Sequence, residues 1–157
     1  KGGYGFRILE AVEAVNTSQK RRLFEKMEAV LGSLDGKQIA IWGLAFKPRT
    51  DDMREAPSIT MIEALLEAGA KVVAYDPQAQ RPARAIFGSR LTLAGHSYEA
   101  LKGADALGIL TEWNEFREPD FSRMRSLMRT PVIFDGRNLF DLAQMRAHGF
   151  TYYSIGR

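Results

Sequence analysis

Residues 38–57 have the sequence QIAIWGLAFKPRTDDMREAP, and this stretch decides the fold prediction. Its first part, Gln38–Trp42, is largely apolar and predicts a buried strand, whereas Ser58–Ala68, just beyond it, predicts a helix. A strand, a loop and a helix in this order usually build a glycine-rich loop that binds phosphate. Here the loop from Gly43 to Pro57 contains one glycine and six charged residues, so its backbone is poorly suited to that role.

The alternation of strand and helix patterns continues to the end of the chain. Further strands are predicted at Lys71–Tyr75, Leu91–Leu93, Ala106–Leu110, Val132–Phe134 and Tyr152–Ile155. Further helices are predicted at Arg81–Ile86, Tyr98–Lys102, Phe121–Leu127 and Leu139–Ala147. Apolar strands linked by helices predict an α/β fold with a doubly wound, mainly parallel Rossmann-like sheet.

A long helix is predicted ahead of the sheet. Residues 6–31 lack Gly and Pro and carry apolar side chains at spacings of three and four, which is the pattern of an amphipathic helix. Gly32 and Ser33 are expected to end it. Such a helix packs on its own domain, connects two domains or forms a dimer, and the pattern leaves these alternatives open.

The composition narrows the class of protein. The chain has 157 residues, of which 45% are hydrophobic and 26% charged, as expected for one soluble domain. It has neither a signal-peptide pattern nor the roughly 18 consecutive apolar residues of a membrane span. The net charge of +3 is spread along the chain, and Lys20-Arg21-Arg22 is best explained as a solvated helix face. We therefore expect a cytoplasmic protein that binds neither membrane nor nucleic acid.

Few residues are available for covalent or metal chemistry. The chain has no cysteine, which excludes disulfides, thiolate metal sites and thiol nucleophiles within it. Its two histidines, His96 and His148, are far apart in sequence and are expected on the surface. Neither a catalytic residue nor a metal site is predicted in this chain.

A binding cleft is predicted at the carboxyl ends of the strands, where open parallel sheets bind their ligands. Polar or aromatic residues follow four strands, at Gly43–Arg54, Asp76–Pro77, Thr111–Trp113 and Asp135–Asn138. Asp76 is compatible both with a contact to ribose and with a simple turn. The cleft is expected to hold a phosphorylated ligand.

Three basic residues near these strand ends suit an anionic ligand. Lys47, Arg54 and Arg137 are predicted to reach a diphosphate with their side chains. The alternative for each arginine is a surface ion pair with a carboxylate. Asp51 and Asp52 are adjacent in sequence and are expected to shape the loop and not to act as acid and base.

Five segments resemble the C-terminal domain of the nucleotide-sugar dehydrogenases, the family of UDP-glucose and GDP-mannose dehydrogenases. They are YGFRILEAVEAVNTSQK (4–20), GLAFKPRTDDMREAP (43–57), GADALGILTEWNEF (103–116), FDGRNLF (134–140) and GFTYYSIGR (149–157). The resemblance covers essentially the whole chain. The Ala-Phe-Lys-Pro and Thr-Glu-Trp segments favour the UDP-glucose branch.

The resemblance implies a longer enzyme that oxidises UDP-glucose to UDP-glucuronate in two NAD-dependent hydride transfers. It implies that NAD is bound mainly by an N-terminal domain, which also carries a cysteine nucleophile. Residues 1–33 would be the end of a central connecting and dimerisation helix, and residues 34–157 the domain that binds the UDP-sugar. The start at Lys1 without Met agrees with a fragment, which is expected to be inactive alone and to form a homodimer in the full enzyme.

The resemblance also implies roles for particular residues. Lys47, Phe46 beside it, and Arg137 would contact the nucleotide sugar, and Trp113 would line the same cleft. Arg54 would face NAD. Two alternatives remain: another nucleotide-sugar dehydrogenase, acting on GDP-mannose or a UDP-aminosugar, and a standalone nucleotide-binding module.

Overall fold

The computed structural model describes residues 21–155 and contains one sheet of six parallel strands. The strands are β1 (Gln38–Trp42), β2 (Lys71–Tyr75), β3 (Thr92–Leu93), β4 (Ala106–Ile109), β5 (Val132–Asp135) and β6 (Thr151–Ser154). Their order across the sheet is β3-β2-β1-β4-β5-β6, and every neighbouring pair is parallel. This is the order of a doubly wound Rossmann-like domain, which confirms the predicted fold class.

Helices cover both faces of the sheet, as such a fold requires. They are α1 (21–31), α2 (Pro57–Glu67), α3 (Gln80–Phe87), α4 (Phe121–Leu127) and α5 (Leu142–Ala147), with short 3₁₀ turns at Gly88–Arg90, Glu99–Leu101 and Asn114–Phe116. Pro57 occupies the first turn of α2, as predicted. None of the helices within residues 21–155 has the length and apolar character that a membrane span requires.

Two of the predicted helices are wrong in extent. The segment Tyr98–Lys102 forms only a 3₁₀ turn, because Gly103 follows at a φ of +70° and stops the helix. The helix predicted from Leu139 begins at Leu142, because the Asp141 side chain accepts a hydrogen bond from Gln144 N at 3.0 Å and caps it there. The remaining boundaries within residues 21–155 agree with the prediction to within one residue.

Helix α1 is part of the same core as the sheet. Leu23, Phe24 and Met27 are buried and belong to the cluster that includes the strands. Met27 Cε lies 3.7 Å from the position that a Cβ on Gly108 would occupy, so the helix packs directly on β4. Residues 6–20 of the predicted helix lie outside the described residues. Dimerisation through the predicted helix and the domain boundary at residue 33 stay predictions.

Gly43 joins β1 to the charged loop, and both its backbone conformation and its closeness to Thr111 favour glycine there. Its φ is +98°, and a Cβ there would lie 2.6 Å from the backbone nitrogen of Thr111. Gly43→Ala is therefore expected to lower the free energy of unfolding by about 3 kcal/mol, through both backbone strain and overlap. Urea-induced unfolding, followed by tryptophan fluorescence, measures the loss.

Gly32 provides the matched control for Gly43. Its φ is +75°, but a Cβ there would meet nothing within 4 Å. Gly32→Ala should therefore cost only the backbone term, about 1 kcal/mol. Equal losses for the two variants would mean that the approach of Thr111 to Gly43 carries no penalty of its own.

Candidate ligand-binding cleft

The base of the loop after β1 is fixed by buried hydrogen bonds. Oδ2 of Asp76 accepts from the backbone nitrogens of Leu44 at 2.7 Å and Ala45 at 3.0 Å. Ser58 Oγ donates to Leu44 O at 2.6 Å, and Thr111 Oγ1 donates to Ala45 O at 2.7 Å. Three different elements thus hold the first residues of the loop, so its backbone amides are used within the protein.

The tip of the loop presents side chains outward. Phe46 N donates to Asp52 O at 2.7 Å and closes the tip, while the Phe46 ring remains 49% exposed. Lys47 and Arg49 are exposed as well. The loop therefore offers an aromatic ring and cations to a ligand, in place of the backbone N–H groups of a glycine-rich loop.

Arg54 is paired within its own loop. Its Nε and Nη2 donate to the two carboxylate oxygens of Asp52 at 3.0 and 2.9 Å. The side-chain hydrogen bond from Arg54, helped by its backbone N–H and by the charge of Lys47, lowers the pKa of Asp52 to about 2. The same bond raises the pKa of Arg54. Asp52 shapes the loop as predicted, whereas Asp51 makes no hydrogen bond or ion pair with any residue in 21–155.

Asp76 organises three segments at the carboxyl edge of the sheet. Besides the loop after β1, its Oδ1 accepts from Gln78 N and Ala79 N, both at 2.8 Å. Its Oδ2 also accepts from Trp113 Nε1 at 3.1 Å. Because Asp76 is only 1% exposed and both oxygens are occupied, the structure supports its role in the turn and not the contact with ribose. Trp113 is 7% exposed, and its contact with substrate stays a prediction.

A second buried carboxylate sets the position of Arg137. Asp135, the last residue of β5, accepts from Arg137 N and Leu139 N, each at 2.8 Å, and from Tyr152 Oη at 2.7 Å. Asn138 takes a positive φ of +56° within this turn. The backbone at Arg137 is thus fixed while its side chain reaches the surface.

The Arg137 side chain contacts Glu112, which follows the neighbouring strand β4. Its Nη2 donates to Glu112 Oε2 at 2.6 Å. Partial burial raises the pKa of Glu112, but the hydrogen bond from Arg137 lowers it, and the net effect is a lowered pKa. Glu112 Oε1 is buried and has no hydrogen-bond partner among the described residues.

Arg137 also forms part of a cavity of about 200 Å³ at this edge of the sheet. The other lining residues are apolar or glycine: Leu23, Pro57, Met61, Leu110, Gly136 and Ile155. Arg54 instead borders a broad apolar depression beside α3, with Met53, Ile59 and Ile86. Arg54 and Arg137 thus line different cavities. The predicted convergence of Lys47, Arg54 and Arg137 on one diphosphate stays a prediction.

The pairing of Glu112 with Arg137 was missed from the sequence, although a signal for it exists. Ile109 of β4 pairs with Asp135 of β5. Glu112 lies three residues after Ile109, and Arg137 lies two residues after Asp135. Neighbouring parallel strands that end at the same edge of the sheet bring the residues after them within reach of each other.

Both histidines are exposed, as predicted. Within 21–155 no group of three or more His, Cys, Asp or Glu residues is placed to hold a metal.

Comparison with known proteins places this architecture in a family. Residues 40–142 match the model of the UDP-glucose/GDP-mannose dehydrogenase family, UDP binding domain. The matched range includes Phe46, Lys47, Arg54, Trp113 and Arg137. The chain is 51% identical to UDP-glucose 6-dehydrogenase of Pseudomonas aeruginosa over 161 aligned positions, which cover 99% of this chain and 36% of that protein. The chain thus spans about a third of the length of the curated relatives it matches.

Two solved structures share the fold over most of the chain. UDP-glucose dehydrogenase from Pyrobaculum islandicum matches with a TM-score of 0.77 and 32% identity, over 92% of this chain and 31% of its own. UDP-D-ManNAc dehydrogenase from Pyrococcus horikoshii matches with a TM-score of 0.66 and 28% identity, over 96% and 32%. The fold of this chain is thus shared with these two dehydrogenases of nucleotide sugars.

Proposed function

Because the chain belongs to the UDP-glucose/GDP-mannose dehydrogenase family, as its UDP-binding domain, we propose that it binds the UDP-sugar in an NAD-dependent UDP-glucose 6-dehydrogenase. The whole enzyme would be longer than this chain, since the chain spans 36% of the Pseudomonas relative. The choice of UDP-glucose rests on the identity of 51% with a UDP-glucose enzyme, against 28% with the UDP-D-ManNAc enzyme. The standalone module becomes the lesser alternative, because the longer relatives carry this domain as one part.

The observation that carries the proposal is the placement of Arg137. It is the charged residue in the lining of the cleft at the carboxyl edge, and Asp135 fixes its backbone. A guanidinium on an otherwise apolar wall suits a diphosphate next to a nucleoside. Lys47 would approach the same ligand from the loop after β1, with Phe46 offering an exposed ring.

The chain would bind and orient the substrate, and other parts of the enzyme would supply the chemistry. Two NAD molecules would each accept one hydride as the C6 alcohol is oxidised to a carboxylate, and the nucleophile and most of the NAD site would lie outside this chain. Arg54 would face NAD, since it borders a surface distinct from the Arg137 cleft. The isolated chain would then be inactive, and the enzyme would be cytoplasmic and dimeric through the helix that includes α1.

Titration with UDP tests the proposed site. In the longer protein, Lys47→Ala and Arg137→Ala are each expected to raise the Kd for UDP about 10- to 100-fold, because each removes a charge-assisted hydrogen bond. Isothermal titration calorimetry measures the change. Arg129→Ala is the matched control, since Arg129 lies near Asp105, at the amino edge of the sheet, and should leave the Kd unchanged.

Substrate identity is tested separately by the rise of NADH absorbance with UDP-glucose, UDP-N-acetyl sugars and GDP-mannose. Turnover with UDP-glucose is the expected result. Tight binding of UDP without turnover of UDP-glucose would move the protein to another branch of the family. Failure of the wild-type protein to bind UDP, or indifference of its Kd to both substitutions, would contradict the site itself.

A further inference from the structure

We propose that Glu112 is a positioning residue for Arg137, holding one edge of its guanidinium so that the remaining N–H donors face the cleft and a diphosphate. The inference rests on the proposed function, because it concerns how that site is prepared for its ligand. It assigns a role to a residue that contacts no ligand in the proposal, and the role is distinct from those of Lys47 and Arg137.

The geometry of the pair is one-sided. Glu112 uses a single oxygen, Oε2, and receives a single donor, Nη2 of Arg137, at 2.6 Å. A guanidinium carries five N–H groups in a fixed plane. Within residues 21–155 the other N–H groups of Arg137 have no hydrogen-bond partner, and the side chain is 40% exposed. Arg137 can therefore keep its bond to Glu112 and still present donors to an anion.

The anchor itself is well fixed. Glu112 lies three residues beyond the end of β4, and its side chain is 26% exposed, less than that of its partner. On one side of it, Thr111 is tied to the loop after β1, and on the other, Trp113 is tied to Asp76. The carboxylate thus extends from a segment that is held at both ends. A fixed anchor restricts the rotamers of a long arginine side chain before the ligand arrives.

The opposite role for Glu112 is competition with the ligand. A carboxylate near a diphosphate repels it, and a pair that had to break on binding would weaken affinity. The structure favours positioning, because four of the five guanidinium N–H groups are left over and because Arg137 already lines the cavity while it is paired. The two roles predict opposite effects on affinity when the carboxylate is removed.

The test is a double-mutant cycle on UDP affinity in the longer protein. Glu112→Ala is expected to raise the Kd for UDP about five- to tenfold, since Arg137 must then lose its side-chain freedom on binding. In the Arg137→Ala background the same substitution should change the Kd less than twofold, because the residue it positions is gone. Glu112→Gln, which keeps an acceptor at the same place, should recover most of the affinity. If Glu112→Ala does not fold, Glu112→Asp, whose shorter side chain withdraws the carboxylate from Arg137, should show the same loss of affinity.

Glu115→Gln provides the matched control. Glu115 lies three residues further along and accepts a hydrogen bond from Tyr75 Oη at 2.9 Å, away from Arg137. Glu115→Gln should leave the Kd for UDP unchanged.

Unchanged or tighter binding of UDP by Glu112→Ala would overturn the inference. Equal effects of Glu112→Ala on the Kd with and without Arg137 would overturn it as well. If wild type binds UDP and Arg137→Ala weakens it, such a result leaves the proposed function standing. If wild type does not bind UDP, both fail.

Discussion

Asp76→Asn is expected to lower the free energy of unfolding by about 4 kcal/mol. Five N–H donors converge on the two oxygens of this carboxylate, from the backbone on both sides and from the Trp113 indole. An asparagine keeps only one oxygen. Its NH₂ group must then face at least two donors at a buried site, where unpaired polar groups are costly.

The measurement is urea-induced unfolding, with fluorescence from the tryptophans as the probe. Asp51→Asn is the matched control, because Asp51 is exposed in the loop after β1 and has no partner among residues 21–155. It should change stability by less than about 0.5 kcal/mol. A loss below about 1 kcal/mol in Asp76→Asn would show that the convergence of donors on Asp76 is not what fixes the loop.

Asp135→Asn is expected to cost about 3 kcal/mol of stability and to weaken UDP binding at the same time. Asp135 is fully buried, and its oxygens accept from two backbone amides and the Tyr152 hydroxyl. An amide in its place must turn its NH₂ group toward at least one of these donors. The turn that carries Arg137 would then shift, so one substitution should affect both the fold and the cleft.

Unfolding and UDP titration on the same sample separate the two effects. Tyr152→Phe is the graded control, since it removes one of the three donors to Asp135 and leaves the turn amides in place. It should cost about 1 kcal/mol and have little influence on the Kd. A destabilised Asp135→Asn protein that still binds UDP with wild-type affinity would contradict the idea that this carboxylate positions Arg137.

The fold was predictable because its signals are local. The runs Gln38–Trp42 and Lys71–Tyr75 are apolar over a strand length and are bounded by turn residues, and both strands lie where the pattern placed them. The errors at Glu99–Leu101 and Leu142–Ala147 come from competition between helix propensity and a nearby glycine or aspartate cap. Such competition is decided by one or two hydrogen bonds, which periodicity does not show.

The sequence leads to a candidate site at one edge of the sheet, and the ligand contacts of Lys47 and Arg137 there stay predictions. The rule that ligands bind at strand carboxyl ends, together with the family resemblance, leads to Lys47 and Arg137. The sequence does not decide the role of Asp76, because a carboxylate after a strand looks the same in sequence whether it faces ribose or backbone amides. The partners of Arg54 and Arg137 depend on side-chain geometry across loops, and sequence spacing does not determine it.

The packing of α1 links the position of this helix to the shape of the cleft. Leu23 lines the cleft, and its Cδ2 lies 3.4 Å from where a Cβ on Gly136 would be, so the helix is seated against the turn that carries Arg137. α1 and the sheet therefore share one packed core, so a displacement of this helix would disturb the cleft. Bending at the Gly32–Ser33 turn would expose Met27 and remove one wall of the cleft.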